Sequence, residues 1–305
     1  MSYTRGAVSS LATGILVAVE VKFRLLDVFT DVPFAGNQLC VVTDPPPELG
    51  ADMMQRLAGE IGFSETTFVT AIRPDGYDVR IFTPVSELPF AGHPTLGTAF
   101  TLVDEGRVTA HVTQTSAAGD VPVEIDLETR RGTMHQLPTV FGQGFDDREA
   151  VARAAGLSMT DLVGDLPIMP ISTGIWHLMV PVRDEATLRT AARDDAGCVE
   201  VCRRTETESL YLFAVRDQGD VVARMFDRSL EIGEDPATGS AAGPLGAYLA
   251  AHRLAGAPGR VIISQGEQIG RPSFLHVEAA LSADGFDVRV GGGVRVVGEG
   301  TFRIG

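Results

Sequence analysis

Hydrophobic and polar positions change rhythm along this chain, and the changes lay out its elements. From residue 22 to 27 they alternate and run into Val28-Phe29, which predicts a strand. A turn over 33–37 and an apolar run over 39–42 make the opening a hairpin-like pair. After the rigid Pro45-Pro46-Pro47 break, apolar residues over 52–61 fall at helical spacing and stop near Gly62. A β-branched run over 66–72 predicts a strand, and Pro74-Asp75-Gly76 turns the chain into another over 78–82. A helix over 94–103 begins on Pro94, a position where proline is tolerated, and strands over 121–127 and 132–137 follow.

The second half runs through the same order. The pattern predicts a helix over 148–157, a strand within 172–182 carrying His177, and a helix over 186–192. Strands over 210–215 and 221–226 lead to a helix over 241–252. The last strands are predicted over 261–264, 274–279, 286–290 and 294–297, with Gly291-Gly292-Gly293 as a turn between the final two. Many strands around one long helix per half predict an α+β fold rather than a run of βαβ units. Each half is expected to be a mixed or antiparallel sheet wrapped around a central helix. The expected organisation is a flexible extension over 1–19, one domain over 20–138 and a similar one over 139–305, with the last strand able to cross back.

One segment occurs twice. RIFTPVSELPFAGHPTLGTAF runs over 80–100, and RMFDRSLEIGEDPATGSAAGPLGAYL over 224–249. Each has Arg-x-Phe, an acid (Glu87 or Glu234), a proline two residues on (Pro89 or Pro236), and a glycine five residues after the acid (Gly92 or Gly239). The copies differ where chemistry would sit: His93 against Ser240, and Leu88 against Asp235. A Gly-rich turn entering a helix presents unpaired N–H groups reinforced by the helix dipole. Two such ends meeting in a cleft would cradle an anion. The plainer reading is a pair of strand-turn-helix junctions that need glycine for steric reasons. The matched duplication favours the cleft.

Composition narrows the partners. A net charge of −15 argues against nucleic acid and against anionic membranes, since phosphate binding needs a basic surface. An anionic substrate would have to be held locally. No apolar run is long enough to span a bilayer, and a signal peptide is not expected in the first residues. Cys40, Cys198 and Cys202 form no framework, which suggests a reducing, cytoplasmic setting. Cys198 and Cys202 could share a helix face, but no second Cys/His pair with zinc spacing accompanies them, so free thiols are expected and no metal. No Lys-Ser/Thr follows the triple glycine and no dinucleotide fingerprint occurs, so no organic cofactor is expected either.

Four polar residues stand out. Glu65, in Ser64-Glu65-Thr66-Thr67 beside Phe63 and Phe68, could be desolvated into an acid/base; the alternative is a solvated loop carboxylate. His93 could donate to a substrate carboxylate, or be a satisfied histidine at a helix start. Asp235 could hold an amine or position a proton, or be a first-turn helix acid. Ser240 could bind substrate, cap the second helix, or do both.

These motifs carry a resemblance. SETTFV over 64–69, the two duplicated segments, and QGEQIGRPS over 265–273 resemble the PhzF family, the phenazine-biosynthesis isomerases, from about residue 21 onward. The resemblance implies the diaminopimelate-epimerase fold, with two similar α+β domains. It implies Glu65 as proton shuttle, with His93 and Asp235 as further catalytic residues and Ser64, Gly92, Gly239 and Ser240 as substrate-binding ones. It implies an intramolecular proton shift on a small anionic amino acid, best matched by trans-2,3-dihydro-3-hydroxyanthranilate, and commonly a homodimer; the alternatives are another cyclic amino acid of a different antibiotic pathway, or a non-catalytic small-acid binding protein. Related epimerases place a thiol before each glycine turn; Ala91 and Thr238 stand there, so a two-thiol mechanism is not available. Two departures fall in the pocket wall: Gln38 after Gly36-Asn37, and Asp227-Arg228 where the first copy has Thr83-Pro84.

Overall fold

The computed structural model describes residues 19–304 apart from Asp217 and Asp284, so nearly all of the expected extension over 1–19 lies outside the described residues. The helices are α1 (Ala51–Ile61), α2 (Gly92–Asp104), α3 (Arg148–Ala154), α4 (Glu185–Thr190), α5 (Asp195–Thr205) and α6 (Gly239–His252). None of the described helices is long and apolar enough to cross a membrane.

The internal repeat extends far beyond the duplicated segment. In the first half, Val19–Val28 pairs antiparallel with Asn37–Val42, which runs parallel to Glu65–Arg73. Gly76–Phe82 joins antiparallel and takes Glu87–Leu88 antiparallel and His111–Ser116 parallel. Gly119–Asp126 and Arg131–His135 follow, each antiparallel to its predecessor. In the second half the order is Met169–Ser172, Trp176–Pro181, Ser209–Val215, Val221–Asp227, Glu234–Asp235, Gly259–Gln265, Ser273–Ser282 and Gly285–Ile304. These strands repeat every pairing in the same sequence and the same sense. The fold is α+β with a mixed, barrel-like sheet of 17 strands among the described residues.

The halves also exchange strands. Val140–Phe141, which follows the last strand of the first half, pairs with Met169–Ser172, the first strand of the second half, and so extends the first half past the expected boundary at 138. The far end of Gly285–Ile304 pairs with Val19–Val28. Between these exchanges, Gly132 lies opposite Gly292 where the two closing strands meet.

This crossing corrects the expected turn at Gly291-Gly292-Gly293. Gly285–Ile304 is one continuous strand of 20 residues. Its glycines lie where it leaves Ser273–Ser282 and crosses to Arg131–His135 and Val19–Val28. A Cβ at Gly291 would stand 2.6 Å from the Gly132 carbonyl, and one at Gly292 2.6 Å from the Phe29 ring. Glycine is needed there for close approach, not for a change of direction. Other elements differ by smaller amounts. Helix α3 stops at Ala154, and the region of 172–182 is a hairpin of Met169–Ser172 with Trp176–Pro181. Helix α5 and the strand His111–Ser116 are additions; Asp194 caps α5 by accepting from the Gly197 N–H.

Helices α2 and α6 are the centres of the two halves. Both bury their residues on every face, through Val103 in α2 and Ala250 in α6. All-round burial explains why neither shows an apolar stripe. Threonines inside α2 satisfy their hydroxyls locally: Thr95 and Thr101 donate to the carbonyls four residues back, at 2.8 Å each. Small residues let the sheet close over the helix, and Leu39 and Val28 pack against Gly97. This packing aims both helix starts at the junction between the halves.

Candidate active site

The two copies of the duplicated segment build the same scaffold. Arg80 forks onto Glu87 with two bonds of 2.7 Å, and Arg224 forks onto Glu234 with bonds of 2.9 and 2.7 Å. Each guanidinium also lies over the phenylalanine two residues on, Phe82 at 5.1 Å and Phe226 at 4.9 Å. Leu88 pairs with Ile81, and Asp235 with Met225 at the matching place. The scaffold is therefore shared, while the side chains it presents are not.

From each scaffold the chain enters a central helix at an N-cap with no side-chain bond, Ala91 for α2 and Thr238 for α6. The two helix starts touch. A Cβ on Gly92 would lie 2.7 Å from the Gly239 backbone and from the Ser240 nitrogen. First-turn N–H groups of both helices thus converge with no side chain capping either end, an arrangement suited to an anion. Pro94 in the first turn of α2 costs no hydrogen bond.

A cleft of about 460 Å³ opens beside this junction. Ser64, Glu65, Gly92, His93, Asp235, Gly239 and Ser240 all line it, so the structure brings every sequence-predicted site residue to one place. Ala91 and Thr238 line it too, as do Asp227, the last residue of the strand Val221–Asp227, and Arg228 after it.

Glu65 opens the strand Glu65–Arg73. Burial, with Asp235 and Asp227 nearby, pushes its carboxyl up to about 8, against a lowering contact from Ser64. Its Oε2 is buried without a hydrogen-bond partner among the described residues. His93 Nε2 lies 3.2 Å from that oxygen. The same Nε2 faces the Gln38 carbonyl at 3.2 Å, and a carbonyl can only accept, so this nitrogen carries the ring proton. Burial keeps His93 neutral, with its pKa down at about 3. Glu65 and His93 are therefore a neutral pair at pH 7, not a salt bridge.

Asp235 sits on the short strand Glu234–Asp235, ahead of the helix rather than in its first turn. Asn37 donates to its Oδ1 at 2.8 Å and Thr238 to its Oδ2 at 2.6 Å. Ser64 donates to Asn37 at 2.8 Å, so the Glu65 strand is tied to the Asp235 strand through one amide. On the far side, Gln265 donates to the Thr238 hydroxyl at 3.0 Å and to the Asp235 carbonyl at 2.8 Å, and accepts from Tyr211 at 2.8 Å. Burial raises the Asp235 carboxyl above its ordinary range, against these donors.

Ser240 is not the N-cap of α6; Thr238 holds that position. The Ser240 hydroxyl instead meets His177 Nε2 at 3.1 Å, and His177 Nδ1 meets the Ser209 hydroxyl at 2.8 Å. Sequence reasoning did not assign Asn37, Gln265, His177 or Thr238 to the site. Asn37 and Gln265 stand inside quoted motifs, and His177 is a lone polar residue in an apolar strand. Those were the available signals. Cys198 and Cys202 are buried free thiols on α5, away from the cleft lining.

Known proteins match this chain along nearly its whole length. A family model described as phenazine biosynthesis-like protein matches residues 26–300. An uncharacterized isomerase of Clostridium acetobutylicum is 32% identical over 90% of this chain and 96% of its own length. The trans-2,3-dihydro-3-hydroxyanthranilate isomerase of Pseudomonas aeruginosa is 34% identical over 85% of this chain and 90% of its own. Among solved structures, a PhzF-family phenazine biosynthesis protein of Bacillus anthracis has a TM-score of 0.84 at 26% identity, covering 94% of this chain and 100% of that one. A hydroxyproline epimerase of Agrobacterium vitis, at 12% identity and a TM-score of 0.63 over 93% of each chain, shares the fold. A repeated scaffold, two abutting helix starts and a match from residue 26 to 300 lead to one assignment: the chain is an isomerase of the phenazine biosynthesis-like, PhzC–PhzF, family.

Proposed function

We propose that this isomerase moves a proton between two carbons of a small cyclic amino acid, without a cofactor, using Glu65 as the single acid/base. The observation that carries the reading is the Glu65 carboxyl itself. It is held near 8, has an unpartnered oxygen, and lines a cleft beside two uncapped helix starts. A group poised near the working pH can both take and return a proton.

The best candidate substrate is trans-2,3-dihydro-3-hydroxyanthranilate, on which the Pseudomonas aeruginosa relative is named to act. Its carboxylate would rest on the helix-start N–H groups of Gly92 and Gly239 and on Ser240. Its ammonium would lie toward Asp235, and that positive charge would favour the ionised, basic form of Glu65. Glu65 would take the proton from carbon 3 and return one to carbon 1 while the ring double bonds shift, leaving the composition unchanged. His93, with its Nε2 proton on the Gln38 carbonyl and that nitrogen 3.2 Å from the Glu65 oxygen, supports the shuttle more directly than it binds the carboxylate.

A different cyclic amino acid is favoured by one observation. Asp227 and Arg228 line the cleft where the first copy has Thr83 and Pro84, and they change the charge of the wall. The test is turnover of trans-2,3-dihydro-3-hydroxyanthranilate in deuterium oxide, followed by NMR. Formation of the isomer with label at carbon 1 supports the reading. Absence of turnover by the folded protein refutes this substrate.

A further inference from the structure

His177 lies at the wall of the cleft, almost wholly buried between two hydroxyls, and belongs to none of the roles above. It sits on Trp176–Pro181, opposite Ser209 in the parallel pairing, and only 2% of its surface is exposed. Its ring nitrogens each face one serine: Nδ1 faces Ser209 at 2.8 Å, and Nε2 faces Ser240 at 3.1 Å. Ser209 is completely buried, and His177 is its only side-chain partner among the described residues.

Donor bookkeeping fixes the direction of this chain. A neutral imidazole has one N–H and one lone pair. If Nδ1 carried the proton it would donate to Ser209, and the Ser209 proton would be left buried with no acceptor. A stranded donor in the interior is costly. In the reverse arrangement Ser209 donates to Nδ1, Nε2–H donates to Ser240, and the one proton left over belongs to Ser240, which lines the cleft, rather than to Ser209, which does not. The Ser240 hydroxyl then accepts on its inner side, and its own proton is free to point into the cleft.

We propose that His177 is a positioning residue in a one-way donor relay, Ser209 to His177 to Ser240, that presents the Ser240 proton to an anionic group of the substrate. The relay rests on the reading of Ser240 as a carboxylate ligand, but its direction rests on burial alone. Because the ring stays neutral, with its pKa depressed to about 3 by burial, the relay does not reverse within the ordinary pH range.

Two measurements test it. The first is a long-range ¹H–¹⁵N spectrum of the whole protein with ¹⁵N-labelled histidine, His177 being identified by its loss in His177→Phe or, if that variant does not fold, by its shift in Ser209→Ala. The expected tautomer has the proton on Nε2; a proton on Nδ1 overturns the relay. The second is calorimetry with 3-hydroxyanthranilate and with 2-aminophenol, which lacks the carboxylate. Ser209→Ala should weaken the acid about threefold to tenfold, the range of one neutral hydrogen bond, and leave 2-aminophenol unchanged. In Ser240→Ala the added Ser209→Ala should cost nothing more. Equal losses for both ligands, or additive losses in the double variant, make Ser209 a packing residue only and overturn the proposal. If the wild type does not bind 3-hydroxyanthranilate at all, the substrate reading falls, and the tautomer decides the relay by itself.

Discussion

Gly92 and Gly239 face each other backbone to backbone, close enough that a methyl group on Gly92 would lie 2.7 Å from its counterpart's main chain. Neither partner is a side chain that can swing aside. The contact is where the two halves of the repeat join, and it sets the spacing of the helix starts that line the cleft.

Gly92→Ala should therefore separate the helix starts. Positional errors of this size at a catalytic junction cost about a hundredfold in rate. The expected result is a lowered melting temperature and at least a tenfold loss of kcat/KM in a protein with native circular dichroism. Gly50→Ala is the control, since nothing lies within 4 Å of a Cβ there. Wild-type activity in Gly92→Ala would show that the contact relaxes freely.

Glu65→Gln should keep ligand binding and lower turnover by about a hundredfold or more, the usual contribution of a positioned acid/base. In the wild type, the basic form of Glu65 fills as pH passes about 8. The free-enzyme rate kcat/KM should rise with pH to that point and then level. Activity of the variant within threefold of wild type contradicts the assignment.

The same carboxyl burdens the fold. Its ordinary pKa of 4.5 is raised to about 8 in the folded protein, so the native state holds more protons than the unfolded one between those values. Stability from this group is full below about 4.5 and falls as pH rises through the window. Glu65→Gln should raise the melting temperature at pH 8 and change it little at pH 4.5. An equal shift at both pH values would mean that Glu65 is not held protonated.

Asn37→Ala removes the amide between Ser64 and Asp235. A buried carboxylate oxygen loses its donor, at a cost of about 1–3 kcal/mol. Chemical denaturation should show that loss, and kcat/KM should fall because the Glu65 and Asp235 strands are no longer tied. Unchanged stability would indicate that water replaces the amide.

The repeat supplies its own control for burial. Arg224 and Glu234 have side chains 8% and 13% exposed, while the matched Arg80 and Glu87 are 33% and 42% exposed. Arg224→Met should destabilise by roughly 3–5 kcal/mol, because a buried charge is stranded. Arg80→Met should cost about 1 kcal/mol or less. Equal costs in urea denaturation would mean that the two pairs are equally solvated.

Much of this organisation is legible in the sequence wherever it is written locally. The Arg-x-Phe…Glu…Gly spacing, read twice, already places His93, Asp235 and Ser240 around one cleft, because short motifs carry their own turn and helix start; Glu65 is singled out by its own SETTFV motif and the resemblance it carries. The continuity of Gly285–Ile304 is not legible, because three glycines spell a turn until the Gly132 backbone and the Phe29 ring are seen beside them. His177 and Asn37 escape for a related reason. Each acts through a residue more than 60 positions away, Ser240 and Asp235, and no spacing rule reaches that far.

The exchange of closing strands has a consequence for synthesis. Val19 pairs with Ile304, so the first described strand waits for the far end of the second half to be synthesised. Until then a nascent first half carries an open strand edge, which is a template for wrong pairing. Neither half released alone can finish its sheet, and two fragments cut between them should reach activity only when they are refolded together. The repeat therefore consists of two like units, neither of which is complete before the other arrives.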